Sequence, residues 1–172
     1  VTPYFISPHQ SSTLYHGGNY IFKSTNRGDS WKTISPNIAA SSVKEKKSFA
    51  AGALAESMIE KGLLYTGTDK GAFWVSKNDG QTWEENSAGL ANNYIRSICP
   101  SRFVKERVYL AMTGINYDDL HSYLYVSEDY GKNWKSINKG LPDEPVNVIL
   151  EDPTNENILY AGSLLNCRCN FF

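Results

Sequence analysis

The sequence predicts an all-β chain, a partial β-propeller of three four-stranded blades plus the start of a fourth. Three observations predict it: an octapeptide repeated three times, a tyrosine landmark repeated four times, and strand-type residue usage without a sustained helical period. The octapeptides are Ser24-Thr25-Asn26-Arg27-Gly28-Asp29-Ser30-Trp31, Ser76-Lys77-Asn78-Asp79-Gly80-Gln81-Thr82-Trp83 and Ser127-Glu128-Asp129-Tyr130-Gly131-Lys132-Asn133-Trp134. Gly28, Gly80 and Gly131 are 52 and 51 residues apart. An apolar residue followed by Tyr precedes each box, at Leu14-Tyr15, Leu64-Tyr65 and Val108-Tyr109. The pair recurs at Leu159-Tyr160 with no box after it. Pro8, Pro100 and Pro153 stand seven or nine residues before three of these tyrosines. A unit of about fifty residues holding four strands is the signature of propeller blades.

The units run 1–35, 49–86, 93–138 and, incomplete, 145–172. The first strand of a unit is Tyr94-Ile95-Arg96-Ser97-Ile98 in the third and Val146-Asn147-Val148-Ile149-Leu150 in the fourth. In the second unit the equivalent stretch, Ala50 to Lys61, comes nearest to a helical period, but Gly52 and its position in the unit assign it to a strand. The second strand carries the tyrosine and runs into Gly or Ala, as in Tyr65-Thr66-Gly67 and Tyr109-Leu110-Ala111. The third is the apolar run before the box: Tyr20-Ile21-Phe22, Ala72-Phe73-Trp74-Val75 and Tyr123-Leu124-Tyr125-Val126. The fourth begins at the box tryptophan, as in Trp31-Lys32-Thr33-Ile34. β-Branched and aromatic residues fill these runs, and Gly, Asn, Asp and Pro separate them.

Each box joins the third strand to the fourth, so it is a hairpin turn. The Asn or Asp at its third position (Asn26, Asn78, Asp129) can accept backbone N–H groups that follow it, closing an Asx-type turn. Gly28, Gly80 and Gly131 can take positive φ without a Cβ clash. Trp31, Trp83 and Trp134 are expected to cover the turn and lie buried between neighbouring sheets. Together with Ser24, Ser76 and Ser127 these residues read as folding devices rather than ligand sites.

Composition excludes several classes. The 172 residues carry 17 Lys plus Arg against 18 Asp plus Glu, with no basic face for nucleic acid. The apolar runs are too short to span a membrane as a helix. No charged-then-apolar leader opens the chain at Val1, which implies a leader already removed or never present. Three cysteines (Cys99, Cys167, Cys169), without zinc spacing, argue against a disulfide scaffold and against a metal site. No cofactor is expected.

The boxes resemble the Asp-box, or bacterial neuraminidase repeat, whose pattern is Ser-x-Asp-x-Gly-x-Thr-Trp. Two of the three carry Asn for Asp, which keeps the acceptor and loses the charge. The wider wording also resembles large secreted bacterial proteins of sortilin-like type, often labelled glycosyl-hydrolase-like. It lies in Ser7-Pro8-His9, Leu14-Tyr15-His16-Gly17-Gly18, Phe22-Lys23-Ser24, Gly140-Leu141-Pro142-Asp143-Glu144-Pro145-Val146-Asn147 and Glu151-Asp152-Pro153. The resemblance covers residues 1 to 163 and implies a secreted or periplasmic bacterial protein. After Gly162 that pattern would continue into a glycine turn, an apolar strand and a box, whereas this chain gives Ser163 to Phe172. A fragment of a longer protein is the first expectation, and a homodimer completing a ring is the second.

In such propellers the ligand face lies opposite the box turns. It would be built from Ser35 to Lys47, Ser87 to Asn92, Lys139 to Glu144 and the loops between second and third strands. From tyrosine to box serine is nine residues in the first unit, eleven in the second and eighteen in the third. The extra residues, Thr113 to Ser122, bring Tyr117, Asp118, Asp119 and His121, the candidate ligand-face loop.

Catalytic residues are not expected. A sialidase would need three converging arginines, and Arg27, Arg102, Arg107 and Arg168 are badly placed for it. Only Arg96, on an innermost strand, could face a central channel. Asp118, Asp119, Glu144, Glu151 and Asp152 are available to a two-carboxylate glycosidase, but no motif pairs them. Cys99 reads as a buried small hydrophobe. The function expected is a non-catalytic binding or scaffold module for a protein or carbohydrate ligand. The alternative is a fragment of a glycoside hydrolase whose site is completed by further blades.

Overall fold

A computed structural model describes residues 2–40, 50–163 and 167–171, the last as backbone alone. The described residues form four antiparallel sheets, each meandering in chain order. The first is β1 (Tyr4–Ile6), β2 (Leu14–Gly17), β3 (Ile21–Ser24) and β4 (Lys32–Thr33). The second is β5 (Ala51–Glu56), β6 (Leu64–Thr68), β7 (Phe73–Ser76) and β8 (Glu84–Glu85). The third is β9 (Tyr94–Pro100), β10 (Val108–Gly114), β11 (Asp119–Ser127) and β12 (Lys135–Ser136). The fourth is β13 (Val146–Glu151), β14 (Ile158–Ser163) and β15 (Cys167–Phe171). The chain after Gly162 departs from the repeat in wording yet still supplies a third strand, paired with β14 from Ile158↔Phe171 to Gly162↔Cys167.

The core sits between sheets rather than within one. Every residue of β6 and of β10 is buried, because a second strand flanked by sheets on both faces has no solvent side. Tyr65, Phe73, Ile95, Leu110 and Met112 fill the space between the second and third sheets. Tyr109, Leu124, Ile149 and Leu159 fill that between the third and fourth. Ile21, Ile38 and Ala51, with Leu54, Trp74 and Trp83 beside them, join the first to the second. Cys99 is buried, and its Sγ accepts the Glu151 N–H at 3.4 Å across the third gap. Burial pushes its thiol up to about 11, as an inert core sulfur requires.

Two jobs are divided within each box. Closure falls to the serine and the Asn or Asp together. Ser24 Oγ accepts the Gly28 N–H at 2.8 Å and donates to Asn26 Oδ1, which accepts the Ser30 N–H at 3.0 Å. Ser76 and Asn78 make the same bonds to Gly80 and Thr82, and Ser127 and Asp129 to Gly131 and Asn133. The residue before each glycine is left-handed as well: Arg27, Asp79 and Tyr130 have φ of 60°, 59° and 62°. That conformation aims their N–H groups at the carbonyls of Ser12, Gly62 and Glu106, tying the box to the neighbouring turn of its own sheet.

The second job is docking on the preceding sheet. The Trp83 indole N–H donates to the Ile34 carbonyl at 2.7 Å, and Trp134 to the Asn86 carbonyl at 3.0 Å. Each acceptor stands three residues after the preceding box tryptophan. Trp134 also meets the Phe73 ring edge-on at 4.9 Å. A Cβ on Gly80 would come within 2.8 Å of Ile34, and one on Gly131 would strike Phe73. The glycines are therefore required by close approach as well as by φ. The expectation that every box tryptophan is buried is corrected: Trp83 and Trp134 are partly buried, and Trp31 is exposed. It is 46% exposed, with His16 edge-on at 6.3 Å, because no sheet among the described residues packs in front of the first.

A buried carboxylate bridges the third gap, and a second stands beside the first. Glu151 accepts the Tyr109 hydroxyl at 3.3 Å, the Ser101 hydroxyl at 2.8 Å and the Arg102 N–H at 2.6 Å. Glu56 stands at the same register beside Tyr15, and burial followed by the Glu56 charge raises that phenol's pKa. In the third sheet the register position is Pro100, and the buried Tyr65 hydroxyl across from it has no hydrogen-bond partner among the described residues.

Two stability comparisons follow from these gaps. Trp134→Ala is expected to cost about 3–5 kcal/mol in equilibrium unfolding, the range for a large aromatic truncation, and Trp31→Ala less than about 1 kcal/mol. Equal losses at the two positions would remove the docking role. Tyr109→Phe is expected to cost about 1–1.5 kcal/mol, whereas Tyr65→Phe is neutral or stabilising because it deletes an unpaired buried hydroxyl. A larger loss at Tyr65 than at Tyr109 would contradict the pairing described.

Candidate functional site

Antiparallel meanders send all the box turns to one rim. The turns between second and third strands, and the connections from sheet to sheet, go to the other. At that other rim the third sheet reaches furthest. The expected long loop is mostly strand: β10 runs to Gly114, β11 starts at Asp119, and those two residues pair. Only residues 115–118 turn, as a 3₁₀ turn over Ile115–Tyr117 closed by Asp118 at φ 56°. Gly114, Asp118 and Asp119 look like turn residues in sequence. Asp119 instead begins a strand, which turns its carboxylate onto neighbours rather than into water.

Asp119 is the hub. Its carboxylate accepts the Tyr123 hydroxyl at 2.7 Å, the His121 N–H at 3.1 Å and the Asn93 amide at 3.3 Å. It also hydrogen-bonds His121 Nδ1 at 2.7 Å. These bonds, led by the Tyr123 hydroxyl, hold the Asp119 carboxyl well below the usual carboxylate range. The reciprocal effect pushes the Tyr123 phenol up to about 12. His121 Nε2 lies 3.6 Å from Asp143 Oδ2 in the connection to the fourth sheet, so the ring bridges two carboxylates. Its pKa is raised, first by the bond to Asp119 and then by the Asp143 charge.

Three sheets contribute to this rim. Lys70, in the β6–β7 turn, hydrogen-bonds the Tyr117 hydroxyl, with its ammonium 4.3 Å from the ring centre. The Ser122 hydroxyl lies 2.7 Å from the carbonyls of both Pro142 and Glu144, sharing its one proton between them, and accepts the Glu144 N–H at 3.1 Å, fixing the next connection. Glu144 accepts the Ser163 hydroxyl at 2.8 Å. Tyr117, Asp119 and His121 are thus brought into one cluster, whereas Asp118 serves the turn. Lys70, Asn93, Tyr123 and Asp143 complete it. Sequence reasoning placed Lys70 and Asp143 only within ligand-face segments and did not single out Asn93 or Tyr123, because the four come from separate segments. Residues 41–47 of the expected ligand-face segment lie outside the described residues.

The other candidate carboxylates go elsewhere. Glu151 is buried between sheets at the box rim. Asp152 caps the β13–β14 turn through Thr154 and Asn155 and accepts the Tyr160 hydroxyl at 2.7 Å. These bonds, led by the Thr154 hydroxyl, lower its carboxyl to about 2. The described arginines do not converge: Arg27 sits in a box, Arg107 pairs with Glu128 at 2.9 Å, and Arg96 lies 5.3 Å from the Tyr94 ring centre. Among the described residues no three His, Cys, Asp or Glu side chains group in a way that could hold a metal. No helix of the described residues is long and apolar enough to cross a membrane.

The family model described as sortilin, neurotensin receptor 3 (Sortilin-Vps10) matches residues 71–170, more than half of the chain. The chain belongs to the Sortilin-Vps10 family. None of the curated proteins compared matches it. Among solved structures it is similar to an ancestral GH74 enzyme, at 19% identity and TM-score 0.76, covering 97% of this chain and 22% of that one. It is also similar to the GH74 xyloglucanase from Xanthomonas campestris, at 14% identity and TM-score 0.72, covering 96% of this chain and 28% of that one. YCF48, solved with a bound D1 peptide, matches at 15% identity and TM-score 0.56, covering 90% and 46%. These likenesses establish the propeller fold. The chain spans about a quarter of the length of the GH74 structures.

The Asp119–His121 pair has a pH signature with opposite signs on its two sides. The raised His121 value makes its contribution complete below the ordinary value of 6.5 and loses it as pH rises through the raised value. The lowered Asp119 value makes its contribution complete above the ordinary 3.8 and loses it as pH falls below that. A proton NMR titration is expected to find His121 titrating above 6.5, and Asp119→Asn is expected to bring it back down. An unmoved His121 in that variant would break the pair.

Proposed function

We propose that this chain is a non-catalytic binding module of a larger extracytoplasmic protein, with its ligand face at the rim opposite the boxes. One observation carries the reading. Asp119, the best-placed carboxylate of that rim, is engaged by four donor groups and held ionised. A general acid needs a proton near neutral pH, and a nucleophile needs a free oxygen facing substrate; Asp119 has neither property. Glu151 and Asp152 serve the opposite rim and the gaps between sheets. The rim itself, with Lys70, Tyr117 and His121 from two sheets and Asp143 from the connection to the fourth, offers mixed charge and one exposed aromatic, a surface suited to recognition. Family membership and the secreted resemblance of the sequence support the extracytoplasmic setting.

The test is reducing-end release from xyloglucan, the polysaccharide class named for a fold neighbour, assayed from acid to neutral pH. No release above the blank is expected from the chain or from its Asp119→Asn and Glu144→Gln variants. Release that either substitution abolishes would replace the binding reading with a hydrolase one.

A further inference from the structure

One groove has both of its walls within the described fold, between β4 of the first sheet and the second box. Lys32, Thr33 and Ile34 face Gln81, Thr82 and Trp83 across a cavity of about 370 Å³. A second cavity, of about 340 Å³, adjoins it at Lys32, Ile34, Asp79 and Gln81 and extends it to Lys23 and Thr25. The groove lies on the face of the first sheet turned to the second, so it does not depend on what packs against the other face.

Register puts two like charges into it. Lys23 and Lys32 are directly opposed across β3 and β4, and both line the groove. The same pairing is Val75 with Glu84 in the second sheet and Val126 with Lys135 in the third, one ionisable group each. Like charges in opposed places repel. Asp79, from the second box, offsets one of the two: its carboxylate takes the Lys23 ammonium at 2.5 Å and the Tyr15 hydroxyl at 3.2 Å. Lys32 is exposed and has no ion pair among the described residues. In the next gap the corresponding residues satisfy one another. Tyr130 stands in the place of Asp79, the Lys77 ammonium lies 4.5 Å from its ring centre, and Lys77 is 3.9 Å from Glu84. The first gap is left with a surplus cation facing a cavity.

We propose that this groove binds an oxyanion carried on a sugar chain, a uronate carboxylate or a sulfate ester, with Lys32 as its charge partner. The site is separate from the Asp119 rim and does not rest on the function proposed there. Charge selects the anion, because an oxyanion gives the Lys32 ammonium an acceptor and offsets its repulsion from Lys23. The walls select the sugar. The Trp83 indole and the Ile34 side chain give an apolar strip, and Gln81, Thr33 and Thr82 supply amide and hydroxyl groups for ring hydroxyls. The experiment measures binding of the chain to polygalacturonate, dextran sulfate, neutral dextran and polyglutamate by microscale thermophoresis, at physiological salt to screen diffuse attraction. The variants are Lys32→Gln and, as a control of equal charge change, Lys132→Gln at an exposed lysine of the third box. Circular dichroism checks that both fold. Lys32→Gln is expected to weaken binding about tenfold, the loss of one charge-assisted bond, and Lys132→Gln to leave it unchanged. Binding to polygalacturonate alone assigns the carboxylate, to dextran sulfate alone the sulfate, and to both an oxyanion of either kind. No binding to either polyanionic polysaccharide, equal effects of the two substitutions, or binding as tight to neutral dextran or to polyglutamate would each overturn the proposal.

Discussion

The structure depends on one repeated contact: a box hairpin seated on the sheet before it. A short meander of two to nine residues per strand buries little apolar surface by itself, so stability must come from faces pressed together. Gly80 and Gly131 lack the Cβ that would hold the sheets apart, and the tryptophan three residues on fills the space that opens. Its indole N–H, which would be costly to bury unbonded, takes the main-chain carbonyl of the preceding outer strand. Because the acceptor is backbone, the contact tolerates any residue at that place, Ile34 in one gap and Asn86 in the next.

That arrangement separates the two rims. The box rim is committed to holding sheets together, with Asp79 bound to Tyr15 and Lys23 of the preceding sheet as a further tie. The opposite rim carries no such duty. There the third sheet lengthens by paired residues rather than by a floppy loop, and a rigid strand end holds Asp119, His121 and Tyr123 in a fixed network. Lys70 and Asn93 reach it from the turns around it. The proposed ligand face is thus built on strand ends, which hold side chains more firmly than an isolated loop of equal length.

Much of this was legible in the sequence because it is local. Ser24, Asn26 and Gly28 lie within five residues, and their spacing alone implies the closed turn. The landmark tyrosines place the second strands for the same reason. What was not legible depends on a neighbour in space. The exposure of Trp31 against the partial burial of Trp83 and Trp134 follows from whether a described sheet precedes each, and the three octapeptides read alike. Glu151 looks available to a glycosidase until Tyr109 and Ser101 are found around it. The serines of the boxes take the glycine N–H, a role a pattern centred on Asn or Asp does not suggest. The strand at Cys167–Phe171 lacks the repeat's wording, and pairing with β14 is what forms it.

The docking account is tested most directly by amide hydrogen exchange at Gly28, Gly80 and Gly131. All three amides make the same bond to a box serine, at 2.8, 2.9 and 2.8 Å, so local closure predicts equal protection. If docking on a preceding sheet is what stabilises the boxes, Gly80 and Gly131 exchange only with global unfolding, about 100-fold or more slower than Gly28. Equal exchange at the three glycines would show that each hairpin stands on its own bonds and that the contact between sheets is not what the fold rests on.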